Sequence, residues 1–206
     1  MSRWARIFFY TGSHACQRSF RMRIAIGAIV FFLSSILSMA AGQQALDLGG
    51  SPKDPLKETP GKVVVLVFVR TDCPISSRYA PLLQEMSVRY GSEAAFWLVF
   101  PDKNESSENI RSYLQEFNYK LPALRDTEHS LVKKSGAKVT PEVAVFNLKR
   151  DLVYHGRIDD LYREFGKARR AARTHELADA IEAASKGVAP PSAAAEGVGC
   201  FISDLK

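Results

Sequence analysis

The sequence predicts an α/β fold in which helices cover both faces of a central mixed β-sheet. Residues 63–69 form a continuous apolar run, largely β-branched, which is typical of a strand buried on both faces of a sheet. Residues 76–90 then carry apolar side chains at helical spacing, and a second strand–helix unit follows from residue 94. Two further strands, at 143–148 and 152–157, are separated by a short polar turn typical of a hairpin. In the first half of the domain, helices connect successive strands, which gives parallel neighbours. In the second half, a hairpin gives antiparallel neighbours, so the whole sheet is predicted to be mixed.

The same apolar spacing predicts further elements. They are a buried strand at 94–100, a helix through Ile110 and Phe117, a short segment at 121–124, a small helix at 130–135 and a final helix through Leu177 and Ile181. Residues 41–60 are rich in Gly, Pro, Lys and Asp and are predicted to be a linker, which leaves 61–186 as the folded domain. Residues 187–206 begin with a stretch of Gly, Ala, Pro, Ser and Val and are predicted to be a flexible C-terminal tail that carries Cys200.

The composition excludes several classes of protein. The chain has 206 residues, of which 46% are hydrophobic and 24% are charged, as in ordinary globular domains. A core of this size needs no disulfide staples, so a disulfide-rich mini-protein is excluded along with collagen and low-complexity polymers. Only one apolar run is long enough to cross a bilayer, which excludes a transporter with several spans.

The basic net charge belongs mostly to the start of the chain. The sequence has 28 Lys and Arg against 22 Asp and Glu, a formal charge of +6. Five arginines precede residue 24 and no acid occurs in the first 40 residues, so the rest of the chain carries 23 basic against 22 acidic residues. Nucleic-acid binding needs a basic face on the folded domain, and no nucleic-acid partner is therefore expected.

Residues 1–40 are predicted to be a signal peptide or an N-terminal membrane anchor. Arginines precede an apolar run at 24–37, and Ser38-Met39-Ala40 follows with small residues at its first and third positions. Cleavage after this triplet would release the domain, whereas an uncleaved segment at 24–41 would tether it to the membrane. Both alternatives predict an exported protein, periplasmic or otherwise extracytoplasmic, and Met22 is an alternative start of the same leader.

Export changes the interpretation of the cysteines. Cys16 lies in the leader, which leaves Cys73 and Cys200 in a compartment where disulfides persist. Cys73 follows the most buried predicted strand and precedes Pro74, which suits the first turn of a helix. The positive end of that helix favours a thiolate, and Ser76 is placed to donate its hydroxyl to the sulfur. This context predicts a reactive cysteine, against the alternative of a buried structural one.

A second signal lies at residues 139–142, Val-Thr-Pro-Glu, directly before a predicted strand. A proline that enters a strand at a bend is a candidate for a cis peptide bond, here between Thr140 and Pro141. Opposite Cys73, such a bend would expose backbone groups that pair with an extended substrate, which makes Thr140 and Pro141 candidate substrate-binding residues. The alternative is an ordinary proline at the start of a strand.

These residues carry a resemblance to a known family. The run Thr71-Asp72-Cys73-Pro74-Ile75-Ser76, the element at 139–142 and the strand–helix order resemble the thioredoxin superfamily. More narrowly, residues 154–160 and the Gly199-Cys200-Phe201-Ile202 tail resemble the exported bacterial redoxin branch, grouped with alkyl hydroperoxide reductase and thiol-specific antioxidant domains. The resemblance covers roughly residues 60 to 202. It implies a thioredoxin-like fold with Cys73 as the redox-active nucleophile.

The chain departs from the family's patterns in three places. Ser76 stands where the C-x-x-C motif has its second cysteine, so a local active-site disulfide is excluded. Peroxiredoxins carry Thr or Ser three residues before the cysteine and Pro seven before it, whereas this chain has Arg70 and Leu66. Asp72 replaces the usual tryptophan, and its charge is expected to raise the pKa of the adjacent thiol unless Arg70 or Arg78 offsets it.

Cys200 is the candidate for the missing second thiol. A flexible stretch of the length of residues 187–199 spans about 20 Å on average, enough to cross the face of a small domain. We therefore expect Cys200 to resolve Cys73 after a mixed disulfide or a sulfenic acid has formed. A static disulfide, pairing with another chain and an independent thiol are the alternatives.

The predicted function is thiol–disulfide exchange by an oxidoreductase that acts on exported protein partners and is served by an unidentified thiol reductant. A first alternative is a peroxiredoxin-like peroxide reductase in which Cys200 resolves oxidised Cys73. A second is a non-enzymatic binding module that uses the groove for a partner or for metal delivery. His129, His155 and His175 lack the spacing of metal or haem ligands, so no metal or other cofactor is expected.

Overall fold

The computed structural model describes residues 44–203. Its strands are β1 (Leu46–Asp47), β2 (Val63–Phe68), β3 (Ala94–Phe100), β4 (Ala123–Arg125), β5 (Val139–Thr140), β6 (Glu142–Phe146), β7 (Leu152–Gly156), β8 (Tyr162–Glu164), β9 (Lys167–Ala168), β10 (Ala194–Ala195) and β11 (Cys200–Phe201). Its helices are α1 (Pro55–Glu58), α2 (Pro74–Arg89), α3 (Ser107–Glu116), α4 (Ser130–Ser135) and α5 (Glu176–Ser185).

The predictions for the leader lie outside the described residues. These are the signal peptide or anchor at 1–40, the tether at 24–41, Cys16 and Met22. Within residues 44–203, no helix has the length and apolar character needed to cross a membrane.

Seven strands form one mixed sheet in the order β1-β4-β3-β2-β6-β7-β10. β2 runs parallel to β3, and β3 runs parallel to β4, as strand–helix–strand crossovers require. β6 is antiparallel to both β2 and β7, the second pair being the predicted hairpin. The predicted mixed α/β sheet is therefore confirmed.

β2 lies in the middle of the sheet and is buried along its whole length. Its odd-numbered residues pack in one core with apolar side chains of α2, α3 and α5. Its even-numbered residues pack in a second core with α1 and α4. Because alternate side chains of a strand point to opposite faces, the continuous apolar run supplies both cores. Helices thus cover both faces of the sheet, as predicted.

The chain passes from β2 into the N-terminus of α2 at Cys73. Cys73 is the N-cap residue, with extended backbone dihedral angles, and Pro74 occupies the first helical turn. An apolar stripe that includes Ile75, Tyr79 and Leu83 buries the helix against the sheet. The helix begins slightly before the predicted residue 76 because proline lacks an N–H that the first turn would leave unpaired.

Residues 44–60 are part of the fold, although the sequence predicts a linker at 41–60. β1 pairs with β4 at the edge of the sheet, and both Ala45 and Leu56 are buried. Asp54 caps α1 by accepting a hydrogen bond from the Leu56 N–H at 3.1 Å. The few apolar side chains of this polar stretch find partners on the domain, and local composition does not show that contact.

Residues 187–203 also differ from the expected flexible tail. β10 adds to the sheet as a parallel neighbour of β7, and β11 pairs with β5. Glycines allow this close approach, because a Cβ on Gly156 would lie 1.8 Å from the Ala195 carbonyl oxygen. A Cβ on Gly197 would lie 2.8 Å from the Val139 side chain. The small residues that predict flexibility therefore let the backbone of the segment pack directly on the domain.

Leu66 is a fully buried residue of the central strand β2. Leu66→Ala is expected to lower the free energy of unfolding by about 2–5 kcal/mol, because it removes buried apolar atoms and leaves a cavity. Chemical denaturation measures this loss. Leu148→Ala is the control, since Leu148 is 49% exposed in the β6–β7 turn. Equal stability losses in the two variants would contradict the assignment of Leu66 to the core.

Candidate functional site

Cys73 lies at the carboxyl end of the central strand, where the chain turns into α2. Its side chain is fully buried. The first N–H groups of the helix have no partner within the helix, and the positive end of the helix dipole favours a negative sulfur. This setting suits an ionised sulfur at the strand end where α/β sheets commonly place reactive groups.

Cys200 lies directly opposite Cys73, although 127 positions separate the two in the chain. The Cys200 Sγ is 2.9 Å from the Cys73 Sγ, and both cysteines are free thiols. β11 carries Cys200 to this place because its register sets Cys200 opposite Thr140 and Phe201 opposite Val139. The structure therefore brings together the two cysteines that the sequence singles out.

Thr140 and Pro141 form another side of the site. The peptide bond between them is cis, the geometry for which the sequence makes it a candidate. The Cys73 thiol donates a hydrogen bond to the Thr140 carbonyl oxygen at 3.1 Å. The Thr140 hydroxyl donates to the Cys200 carbonyl oxygen at 3.4 Å. The candidate substrate-binding residues thus lie against both cysteines, and the chain's own tail fills the strand edge beside them.

The two sulfurs differ in acidity. Burial raises the pKa of Cys73, but the hydrogen bond from Cys200 and the nearby hydroxyl and N–H of Ser76 outweigh it, and the net pKa lies below the ordinary value. Burial, the hydrogen bond to Cys73 and the negative charge of Cys73 raise the pKa of Cys200 to about 12. The hydrogen bond from the Cys73 thiol to the Thr140 carbonyl oxygen exists only while Cys73 is protonated. The pair therefore favours a Cys73 thiolate that accepts a hydrogen bond from a Cys200 thiol.

Ser76 approaches the sulfur without a full hydrogen bond. Its side chain is fully buried, and within the described part of the chain its hydroxyl oxygen has no partner of standard hydrogen-bond geometry. The hydroxyl nevertheless lies close enough to lower the pKa of Cys73. The second position of the usual dithiol motif is thus a polar neighbour of the sulfur.

Asp72 is paired with Arg70, one of the two arginines that the sequence indicates could offset its charge. Its carboxylate is largely exposed and lies 2.8 Å from the Arg70 guanidinium, which offsets its charge. Arg70 also pairs with Asp102 at 3.2 Å and donates a 3.4 Å hydrogen bond to the Phe201 carbonyl oxygen. Arg70 therefore links the turn that carries Cys73 to the tail. This link joins residues 131 positions apart and leaves no local signal in the sequence.

Two buried carboxylates near the site have no role in the sequence predictions. Glu105 accepts a 2.7 Å hydrogen bond from the Thr71 N–H, and burial raises its pKa. Glu142 accepts hydrogen bonds from the N–H groups of Lys138 at 2.7 Å and Val139 at 3.1 Å, which holds β5 in place. Glu142 directly follows the proline at the start of a strand, which is a local sequence signal for a residue near the site. Glu105 has no such local signal.

An open cleft of about 670 Å³ borders the tail. Gly199 and Phe201 line it, together with Val139 and His155 of the domain. Phe201 is 78% exposed, whereas the next residue, Ile202, is buried. The tail therefore has the cleft on one side and the Cys73 sulfur on the other.

Three histidines, His129, His155 and His175, lie within the described residues. The buried His129 has its Nε2 atom 2.9 Å from the Pro101 carbonyl oxygen, and His155 lies 3.9 Å from a Glu142 carboxylate oxygen. His175 is the N-cap residue of α5. Between residues 44 and 203, no group of three or more His, Cys, Asp or Glu side chains is arranged to hold a metal ion.

The sequence around Cys73 is similar to that of a known protein family. A family model described as thioredoxin-like matches residues 61–152. Over these residues the chain is similar to that family, and its fold is thioredoxin-like. The match includes the strand and turn that lead to Cys73 and the cis-proline bond, but it ends before the tail. The second cysteine of this thioredoxin-like domain thus lies outside the matched segment. The narrower redoxin branch stays a prediction.

Solved structures share the thioredoxin-like architecture. A hypothetical protein from Sinorhizobium meliloti is 23% identical over 77% of this chain and 88% of its own, with a TM-score of 0.65. An uncharacterized conserved protein from Geobacillus kaustophilus is 20% identical over 77% of this chain and 86% of its own, also with a TM-score of 0.65. At these identities the likeness shows the fold alone. A search of the curated proteins gives no match.

Cys200→Ala is expected to raise the pKa of Cys73, because the thiolate loses the largest of the hydrogen bonds that stabilise it. The rate at which iodoacetamide alkylates Cys73, followed against pH, should then reach its half-maximum at a higher pH than in the natural chain. Ser76→Ala should move the midpoint in the same direction. Ser203→Ala is the control, since Ser203 is an exposed residue of the same segment. An unchanged midpoint in Cys200→Ala would show that the contact between the sulfurs does not set the acidity.

Proposed function

We propose that the protein is an exported thiol–disulfide oxidoreductase in which Cys73 attacks a disulfide of a protein partner and Cys200 resolves the product. The observation that supports this most directly is the 2.9 Å contact between one sulfur of lowered pKa and one of raised pKa. In this proposal the second thiol of the thioredoxin-like pair comes from the tail, because Ser76 occupies its usual position.

The first step is attack by the Cys73 thiolate on one sulfur of the partner's disulfide. A bond forms between Cys73 and that sulfur while the partner's own S–S bond breaks, and the partner's second sulfur leaves as a thiolate that takes a proton from solvent. The N–H of Ser76 and the start of α2 stabilise the Cys73 thiolate before attack. Thr140 and Pro141 flank the place where the partner's backbone would lie.

The second step is attack by Cys200 on Cys73. Once Cys73 is in a mixed disulfide it no longer carries a charge, so the charge and hydrogen-bond effects that raise the pKa of Cys200 disappear. Cys200 can then lose its proton and form the Cys73–Cys200 bond, and the partner's remaining sulfur leaves as a thiolate. The partner gains two electrons, and the two cysteines of this chain lose them.

An external dithiol would return the protein to its reduced state. Attack at Cys200 is favoured over attack at Cys73 because Cys200 is the more exposed sulfur. It also expels Cys73, whose lower pKa makes it the better leaving group. The leader at residues 1–40 supports export, which places this exchange where disulfides persist.

The test is reduction of insulin disulfides by the purified full-length protein with dithiothreitol as the electron source. Cys73→Ser is expected to reduce the rate to that of dithiothreitol alone, because the nucleophile is lost. Cys200→Ser is expected to accumulate a mixed disulfide between Cys73 and insulin, visible by mass spectrometry of non-reduced peptides. Ser203→Ala is the control and should keep the full rate.

Two outcomes would contradict the proposal. Turnover of hydrogen peroxide that depends on Cys73, in a protein that leaves insulin disulfides intact, would favour the peroxidase alternative. Stable capture of a partner that persists in Cys73→Ser, without disulfide exchange in the natural chain, would favour a binding module.

A further inference from the structure

β11 pairs with β5 in the way an added peptide strand would. Within the described residues, β5 has β11 as its one strand partner, in an antiparallel register that sets Cys200 opposite Thr140. The Ile202 N–H extends the ladder by donating to the Lys138 carbonyl oxygen at 3.0 Å. Main-chain hydrogen bonds to a free strand edge are the usual way in which a domain binds an extended polypeptide.

The tail also covers the reactive sulfur. Cys73 is fully buried, whereas Cys200 is partly exposed. Gly199 and Phe201 face the cleft while Ile202 is buried, so the segment stands between the cleft and Cys73. A disulfide of a protein partner therefore has no direct approach to Cys73 while the tail is docked, because exchange requires access to the attacking sulfur.

Building on the thiol–disulfide exchange proposed above, we propose that residues 199–202 occupy the strand edge on which the partner's cysteine-bearing segment docks. The partner is then an extended polypeptide, and it competes with the chain's own tail for β5. The tail acts as an internal substitute for the substrate, with Cys200 in the place that the partner's cysteine takes in the mixed disulfide.

The contacts that hold the tail allow such an exchange. β11 has two residues. Apart from the contact between the two sulfurs, its polar side-chain contacts are long: Arg70 to the Phe201 carbonyl oxygen at 3.4 Å and the Thr140 hydroxyl to the Cys200 carbonyl oxygen at 3.4 Å. Short elements with few buried contacts open at low free energy. Formation of the Cys73–Cys200 bond, with its two electrons passed to the partner's disulfide, would tether the tail. In the reduced protein the tail covers the edge but can exchange with a partner, whereas in the oxidised protein the Cys73–Cys200 bond would hold the tail in place.

Gly199 supplies a way to undock the tail without touching either cysteine. A Cβ at this position would lie 2.0 Å from the Thr140 carbonyl oxygen and 3.1 Å from the Pro141 nitrogen, both of them backbone atoms. Gly199→Val therefore disfavours the docked tail. Ile202→Ala acts independently by removing the buried side chain that follows β11.

The experiment measures alkylation of Cys73 by iodoacetamide in the full-length protein carrying Cys200→Ser, with the label located by peptide mass spectrometry. Adding Gly199→Val is expected to accelerate alkylation at least roughly tenfold, and Ile202→Ala should act in the same direction. Ser203→Val is the matched control and should leave the rate unchanged. Far-ultraviolet circular dichroism and cooperative unfolding establish that each variant is folded.

A second arm tests the docking of a polypeptide. A synthetic peptide with the sequence of residues 195–203, with serine at the cysteine position, is expected to slow alkylation in the Gly199→Val variant. The same peptide with valine at its Gly199 position should not protect Cys73 from alkylation.

Unchanged alkylation in both folded tail variants would overturn the proposal that the tail covers Cys73. Fast alkylation that the glycine peptide does not slow would overturn the proposal that a polypeptide competes with the tail for β5. Neither readout needs disulfide exchange, so inactivity toward insulin combined with both expected results would reject the proposed function and leave the tail assignment standing.

Discussion

The contact between the Cys73 and Cys200 sulfurs is the interaction on which the site depends, and two distant backbone features create it. The end of β2 and the start of α2 place Cys73 where helical N–H groups favour a thiolate. The pairing of β11 with β5 then brings a second thiol to within 2.9 Å. Without the start of the helix, Cys73 would lose the contribution of Ser76 to its acidity. Without the strand pairing, it would lose both the larger contribution of Cys200 and its partner sulfur.

The two cysteines are held with different firmness, Cys73 by the core of the domain and Cys200 by the short tail strand β11. β2 is buried along its whole length and links the cores on both faces of the sheet, so the turn at its end is anchored firmly. The tail, by contrast, reaches the same place through a two-residue strand and glycines that pack against backbone. Firm placement of the nucleophile and exchangeable placement of its partner suit a centre that must pass a disulfide between molecules.

The electrostatics of the site follow from burial together with a few specific neighbours. Burial alone would favour neutral thiols, but the hydrogen bond from Cys200 and the nearby polar groups of Ser76 outweigh it at Cys73. The same proton shared between the sulfurs raises the pKa of Cys200, so the two groups act as one coupled unit. Arg70 pairs with Asp72 and also contacts the tail, which links the charge balance of the turn to the position of β11.

The sequence by itself determined the mixed sheet, the helix that follows Cys73 and the bend at Pro141, because each rests on local patterns: a continuous apolar run, helical spacing and a proline at a strand entry. It also singled out Cys200, but not its place. Only the tertiary structure decided that residues 44–60 and 187–203 pack on the domain, that Arg70 meets Phe201 and that Glu105 binds the Thr71 N–H. These contacts join positions far apart in the chain, and composition rich in Gly, Pro and Ala reports the freedom of an isolated segment rather than the surface that receives it.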